Sequence, residues 1–133
     1  MRTKAVGVAL AALTMGGAAM AAGDPLERYV WKARVLVVSA PDAGDARLAA
    51  QRQALASART GLSERDLVTV EAVGGDAEAV AIRKPLGLPA DAFRAVLVGK
   101  DGGAKLTSPE PIPPQRLFST IDAMPMRKDE MRR

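Results

Sequence analysis

The stretch Arg34-Val35-Leu36-Val37-Val38-Ser39 decides how the rest of this chain is read. Four consecutive apolar residues, three of them β-branched, predict a strand buried on both faces, and therefore a central one. Phe93-Arg94-Ala95-Val96-Leu97-Val98 repeats that pattern and predicts a second central strand. Leu67-Val68-Thr69-Val70-Glu71-Ala72-Val73 differs, because Thr69 and Glu71 alternate with apolar neighbours. One of its faces is wet, which suits the edge of a sheet.

The connections follow from local chemistry. Asp45 predicts an N-cap for a helix from Ala46 to Thr60. Leu48, Leu55 and Ala58 lie along one side of it, with Arg47, Gln51, Gln53 and Arg59 largely elsewhere. Gly61 suits the left-handed position just past that helix, and Leu62 packs back onto its last turn. Asp76 caps a short helix reaching Ala81 or Arg83. Lys100-Asp101-Gly102-Gly103 is a tight-turn signature that joins the third strand to a short polar strand over Ala104–Thr107. Pro109, Pro111, Pro113 and Pro114 stiffen the next connection. A last helix runs from Pro114 to Ala123, with Leu117, Phe118, Ile121 and Met124 on one side; Pro125 stops it and a charged tail follows. Ahead of the first strand, Asp24 to Lys32 forms a lead-in whose Leu26, Tyr29, Val30 and Trp31 can pack.

The predicted order is β-α-β-α-β-β-α. With the apolar strands central and the mixed ones outside, the spatial order is 2-1-3-4, with a right-handed first crossover. This is the plan of a thioredoxin-like three-layer α/β sandwich: a four-stranded mixed sheet with helices on both faces.

The N-terminus reads as a Sec-type secretory signal. Arg2 and Lys4 form a basic n-region, Val6 to Leu13 is apolar apart from Gly7, Gly16-Gly17 breaks the helix, and Ala19-Met20-Ala21 supplies small residues at a cleavage site. Cleavage after Ala21 gives a signal peptide over 1–21 and one domain over 22–133, periplasmic or secreted. The alternative, an uncleaved membrane anchor over Ala5–Gly23, is disfavoured by its four glycines and Ala-dominated hydrophobicity.

Of 133 residues, 112 then remain. The net charge of +4 falls to +2, because Arg2 and Lys4 leave with the signal. No basic block or row of aromatics survives to read nucleic acid, and no membrane span is left after cleavage. Cys and His are both absent. That excludes thiol–disulfide exchange, cysteine-based metal centres and histidine acid–base chemistry. No cofactor is implied. A compact domain of this length has little room for a deep glycosidase-type cleft, and no nucleophile-elbow pattern is present.

Four constellations remain. Asp42 and Asp45 combine as a weak Ca²⁺ or Mg²⁺ site or, preferred here, as helix cap and solvated acid. Lys100, Asp101 and Lys105 at the hairpin are exposed turn chemistry, ligand contacts, or an amine nucleophile if a lysine is desolvated. Arg34, Arg65 and Arg127, with Asp66, Asp122 and Glu130, predict internal arginine–carboxylate forks in preference to an anion-binding cluster. Met124, Met126 and Met131, all within the last ten residues, are soft ligands for Cu(I) or, preferred, packing groups.

The chain also resembles a known family. The resemblance rests on Trp31-Lys32-Ala33-Arg34-Val35-Leu36-Val37-Val38, on Gly61-Leu62-Ser63-Glu64-Arg65-Asp66, on the hairpin Val96-Leu97-Val98-Gly99-Lys100-Asp101-Gly102-Gly103-Ala104-Lys105, and on Ile121-Asp122-Ala123-Met124-Pro125-Met126-Arg127. It is to a bacterial exported family of unknown function with a thioredoxin-like fold, related to a domain of vertebrate secreted sushi-repeat proteins. The resemblance implies the fold and an exported location, and no activity. Where redox thioredoxins carry cysteines, between the first strand and first helix, this chain has the loop holding Asp42 and Asp45. The expected function is a non-catalytic interaction module for an envelope protein or small ligand, with Arg34, Lys100, Asp101, Lys105 and Arg127 as candidate binding residues. The alternatives are an enzyme using Lys and carboxylates, or a methionine copper site.

Overall fold

Every residue of the apolar run is buried in strand β1 (Arg34–Ala40), which is the axis of the sheet. The computed structural model describes residues 23–133, so the expected signal segment over 1–21 lies outside the described residues. Strand β2 (Leu67–Val73) runs parallel to β1, with Leu67 opposite Arg34. Strand β3 (Arg94–Val98) runs antiparallel on its other side, with Leu97 opposite Leu36. Strand β4 (Ala104–Ser108) pairs with β3 across the tight turn. The order β2-β1-β3-β4 is the one the burial patterns predict. Its edges are as wet as expected: β2 buries only Leu67 and Ala72 fully, and β4 buries none of its residues.

Alternation along β1 separates two cores. Leu36, Val38 and Ala40 pack with Leu97 against helices α1 (Ala46–Ala56), α2 (Arg59–Glu64) and α4 (Pro114–Asp122), through Leu48, Leu55, Leu62, Leu117 and Ile121. Val35 and Val37 face the other way, with Val96 and Val98, against Ala79 and Ile82 of helix α3 (Ala77–Arg83) and Leu26 of the lead-in. Layers on both faces of a mixed sheet make the thioredoxin-like sandwich. Full burial of side chains such as Leu117 and Ile121 contributes about 2–3 kcal/mol each.

Four local expectations fail. The helix from Ala46 does not reach Thr60: it ends at Ala56, and Gly61 lies inside α2. Gly61 is there for close approach, because a Cβ on it would stand 2.5 Å from Cζ of Phe118. The helix from Pro114 does stop before Pro125, but it is not the last: in place of a charged tail, Pro125 opens a further helix, α5 (Pro125–Met131), where a proline in the first turn gives up no needed donor. Gln51 is buried, not on the wet side of α1. Its amide donates to the Ile112 carbonyl at 3.0 Å and accepts from the Ile112 N–H at 2.8 Å, pinning the proline-rich connection. Trp31, finally, packs into neither core.

Candidate functional site at the base of β1

Two non-glycine residues among those described have positive φ, Trp31 at 67° and Asp66 at 50°. Both lie at the end of the sheet where β1 and β2 begin. Asp tolerates the left-handed region; a tryptophan there is strained. The Trp31 backbone is tied down, its N–H donating to the Lys100 carbonyl at 2.6 Å, while its side chain is 67% exposed.

Beside Trp31 lies a groove of about 510 Å³. The β3–β4 turn forms one wall, through Gly99, Lys100, Asp101 and Lys105. The junction of α4 and α5 forms the other, through Thr120, Ala123, Met124, Pro125 and Met126, with buried Arg34 beneath. Turn chemistry shapes the first wall. Gly102 takes φ 86°, as the Asp-Gly signature predicts. The Lys105 stem crosses so close to Gly99 that a Cβ there would sit 2.6 Å from Cε. Lys105 Nζ then bonds Asp101 at 2.8 Å, and this bond, with one from the Gly103 N–H, holds the Asp101 carboxyl below its ordinary value.

Beneath the groove the predicted forks are formed. Arg34, 1% exposed, donates from both terminal nitrogens to the Glu130 carboxylate at 3.2 and 3.3 Å, and to the Arg65 carbonyl at 2.8 Å. Lys100 bridges Glu130 at 2.7 Å and Asp66 at 2.9 Å. Arg127 lies 3.7 Å from Glu130 and donates to Asp122 at 3.3 Å and to the Glu64 carbonyl at 3.1 Å. Arg65 grips Asp122 through two 3.0 Å bonds and stacks on Phe118.

The ionisations follow this wiring. Partial burial pulls against the charged form of Lys100, but its bonds to Glu130 and Asp66 outweigh burial and raise its pKa. Burial likewise opposes ionised Glu130, and Lys100 and Arg34 overcome it and lower the pKa. Arg65, followed by Arg127, lowers Asp122 against a burial penalty. A lysine held this firmly protonated is the reverse of what an amine nucleophile requires.

The structure therefore gathers Arg34, Lys100, Asp101 and Lys105 at one groove. Arg127 belongs to the ion-pair network and does not line the groove. Met124 and Met126 line it, whereas Met131 stands exposed near the end of α5, away from the lining. Asp42 and Asp45 lie at the opposite end of β1. Asp45 caps α1, accepting from Arg47 N and Leu48 N, and Asp42 accepts from Gly44 N at 2.8 Å. Among the described residues, no three His, Cys, Asp or Glu side chains are grouped to hold a metal ion. Trp31, expected to pack, is instead marked as a site residue by its positive φ and its exposure at the groove.

Residues 25–130 match the family described as Domain of unknown function (DUF4174). The chain is also 32% identical over 135 residues to the sushi repeat-containing protein SRPX of Rattus norvegicus, and 32% identical over the same length to that of Homo sapiens. Each match covers 91% of this chain and 29% of the relative, so the chain spans under a third of the length of these proteins. No solved structure matches it. Among the described residues, no helix is long and apolar enough to cross a membrane. A family match over residues 25–130, joined to the SRPX identity, makes this chain a member of the DUF4174 family.

Proposed function

We propose that this domain is an exported, non-catalytic interaction module, periplasmic or secreted, whose groove beside Trp31 takes a segment of a partner protein. The single observation that supports this is Trp31. Holding a tryptophan in the left-handed region costs of the order of 1–2 kcal/mol. Here that strain is not offset by burial, since the side chain faces solvent at the groove mouth. Exposed aromatics at the rim of an apolar groove are typical anchors of protein interfaces. Met124, Pro125 and Met126 provide an adaptable apolar wall opposite. Export rests on the n-region, apolar core and Ala19-Met20-Ala21 pattern, and the mature chain is expected to begin at Ala22.

Selection of a random dodecapeptide library displayed on phage tests the groove. The wild-type domain is expected to enrich a consistent apolar motif, and Trp31→Ser to lose that enrichment while keeping its fold. Identical enrichment by both proteins would remove the groove from the interface. Amino-terminal sequencing of the exported protein tests the signal: any start other than Ala22 overturns the assigned cleavage.

A further inference from the structure

Three cations converge on one carboxylate beneath the groove. Glu130 has Arg34 at 3.2 Å, Lys100 at 2.7 Å and Arg127 at 3.7 Å. Arg34 is set in the sheet itself, on the most buried strand, so its guanidinium is in place whether or not Glu130 is present. Glu130 is delivered differently. It comes from α5, a helix of seven residues that buries none of its side chains, and whose Met126 and Met131 remain exposed. Burial of apolar surface therefore does little to hold α5 down. It stays through polar contacts: Glu130 with Arg34 and Lys100, and Arg127 with Asp122 and the Glu64 carbonyl. Exchanging one carboxylate for another at Arg34 leaves the count of buried charges unchanged, so replacement avoids the penalty of an unpaired buried cation.

We infer that Arg34 and Lys100 form a carboxylate-binding cradle at the base of the groove, filled in the free protein by Glu130, and that an Asp or Glu side chain of the partner segment takes Glu130's place. Arg34 and Lys100 both line the groove, so a segment lying along Trp31 and Met126 reaches them directly. Charge favours an acidic partner as well. Among the described residues, Lys32 next to Trp31 and Lys128 on α5 are exposed and meet no carboxylate within ion-pair distance. The occupant is thus an apolar segment carrying one acidic side chain. This rests on the groove being the interaction site, but the cradle has its own test.

The test is chemical rescue of Glu130→Ala in the full-length domain, with N-acetyl-glutamate amide as the probe, at constant ionic strength. The variant is expected to melt about 5–10 °C below wild type. Millimolar probe is expected to restore at least half of that loss, and N-acetyl-glutaminamide, the neutral isostere, to restore none. Equal effects of the two probes would overturn the cradle. Rescue by N-acetyl-leucine alone, whose carboxylate is at its chain terminus, would overturn the assignment to a side chain. Should the variant not fold, wild type carries the test: saturating probe must speed amide exchange across Lys128–Met131, and unchanged exchange refutes replacement. Rescue without peptide enrichment would sink the partner-segment reading and leave the cradle; enrichment without rescue would do the reverse.

Discussion

β1 has a buried arginine at each end, and the two are wired in opposite ways. At its start, Arg34 faces the α4–α5 side and meets a carboxylate carried by a lightly packed helix. At its finish, Arg83 reaches in from α3 on the other face and is 3% exposed. It donates to Ser39 Oγ at 2.7 Å and to the carbonyls of Ala40 and Ala72 at 2.9 and 3.0 Å. Those partners are neutral and belong to the two parallel strands, so Arg83 ties the ends of β1 and β2 to α3. The difference separates a structural tie from a site. Backbone carbonyls cannot leave without unfolding the sheet, whereas a glutamate on α5 can. Thioredoxin-like redox proteins keep their chemistry at the Arg83 end; this chain fills that end with helix caps and has its groove at the other.

The sharpest way to break this comparison is to remove each arginine in turn. Arg83→Ala removes a long buried side chain and the donor shared by Ser39 Oγ and the Ala40 and Ala72 carbonyls, and is expected to destabilise the domain by about 3–5 kcal/mol. Arg34→Met removes a cation whose partner Glu130 can turn toward water, and its expected cost is smaller, about 2–3 kcal/mol. Urea denaturation measures both, and amide exchange separates them. Arg34→Met should free Met126–Met131 while leaving β1 and β2 protected; Arg83→Ala should loosen the strand ends and leave α5 docked. Equal losses with the same exchange pattern would mean that both arginines are merely structural.

Acid should distinguish the two ends more gently. Glu130 and Asp122 have pKa values lowered from the ordinary 4.5 and 3.8. Their contribution to stability is complete above those ordinary values and is lost as pH falls through the lower folded ones, where the unfolded chain binds more protons. Lys100 works in the opposite sense: its raised pKa contributes stability below 10.5 that is lost as pH climbs through the folded value. The bonds of Arg83 itself go to neutral acceptors and add no such acid limb. Lowering pH from 6 toward 3 is therefore expected to change the emission of Trp31, the single tryptophan, before far-ultraviolet circular dichroism reports loss of the sheet. Simultaneous loss of both signals would contradict a selectively acid-labile α5.

How much of this was readable in the residues depends on the range of the forces involved. The apolar runs of β1 and β3 and the alternation of β2 carry their own burial, so sheet order was legible. Asp45, Asp76 and the Asp101-Gly102 turn act on neighbours a few residues away, and each does what its local chemistry predicts. Gly61 looked like a helix terminator because nothing nearby announces Phe118, which comes to rest against it from α4. Gln51 looked wet because its partner, Ile112, lies in a proline-rich stretch with no pattern of its own. Interspersed charges predicted that Arg34, Arg65 and Arg127 would pair internally, though not that three cations would share Glu130. The buried tie made by Arg83 had no sequence signal at all.

Trp31 gives the smallest expected change and the one most specific to the groove end. Replacing a tryptophan with glycine ordinarily removes buried apolar surface and costs several kcal/mol. This side chain is two-thirds exposed, so little burial is lost, and glycine adopts a φ of 67° without steric strain. Glycine's extra freedom in the unfolded chain works the other way by about 0.5–1 kcal/mol. The sum is a Trp31→Gly variant as stable as wild type, or more stable by up to about 1 kcal/mol. Urea denaturation followed by circular dichroism measures it, since the variant has no tryptophan to report. A loss above about 2 kcal/mol would show that Trp31 is held for packing, and the groove end would then resemble the Arg83 end, strained and charged for the sake of the fold. Unchanged stability leaves binding as the reason for a strained, solvent-facing tryptophan at that position.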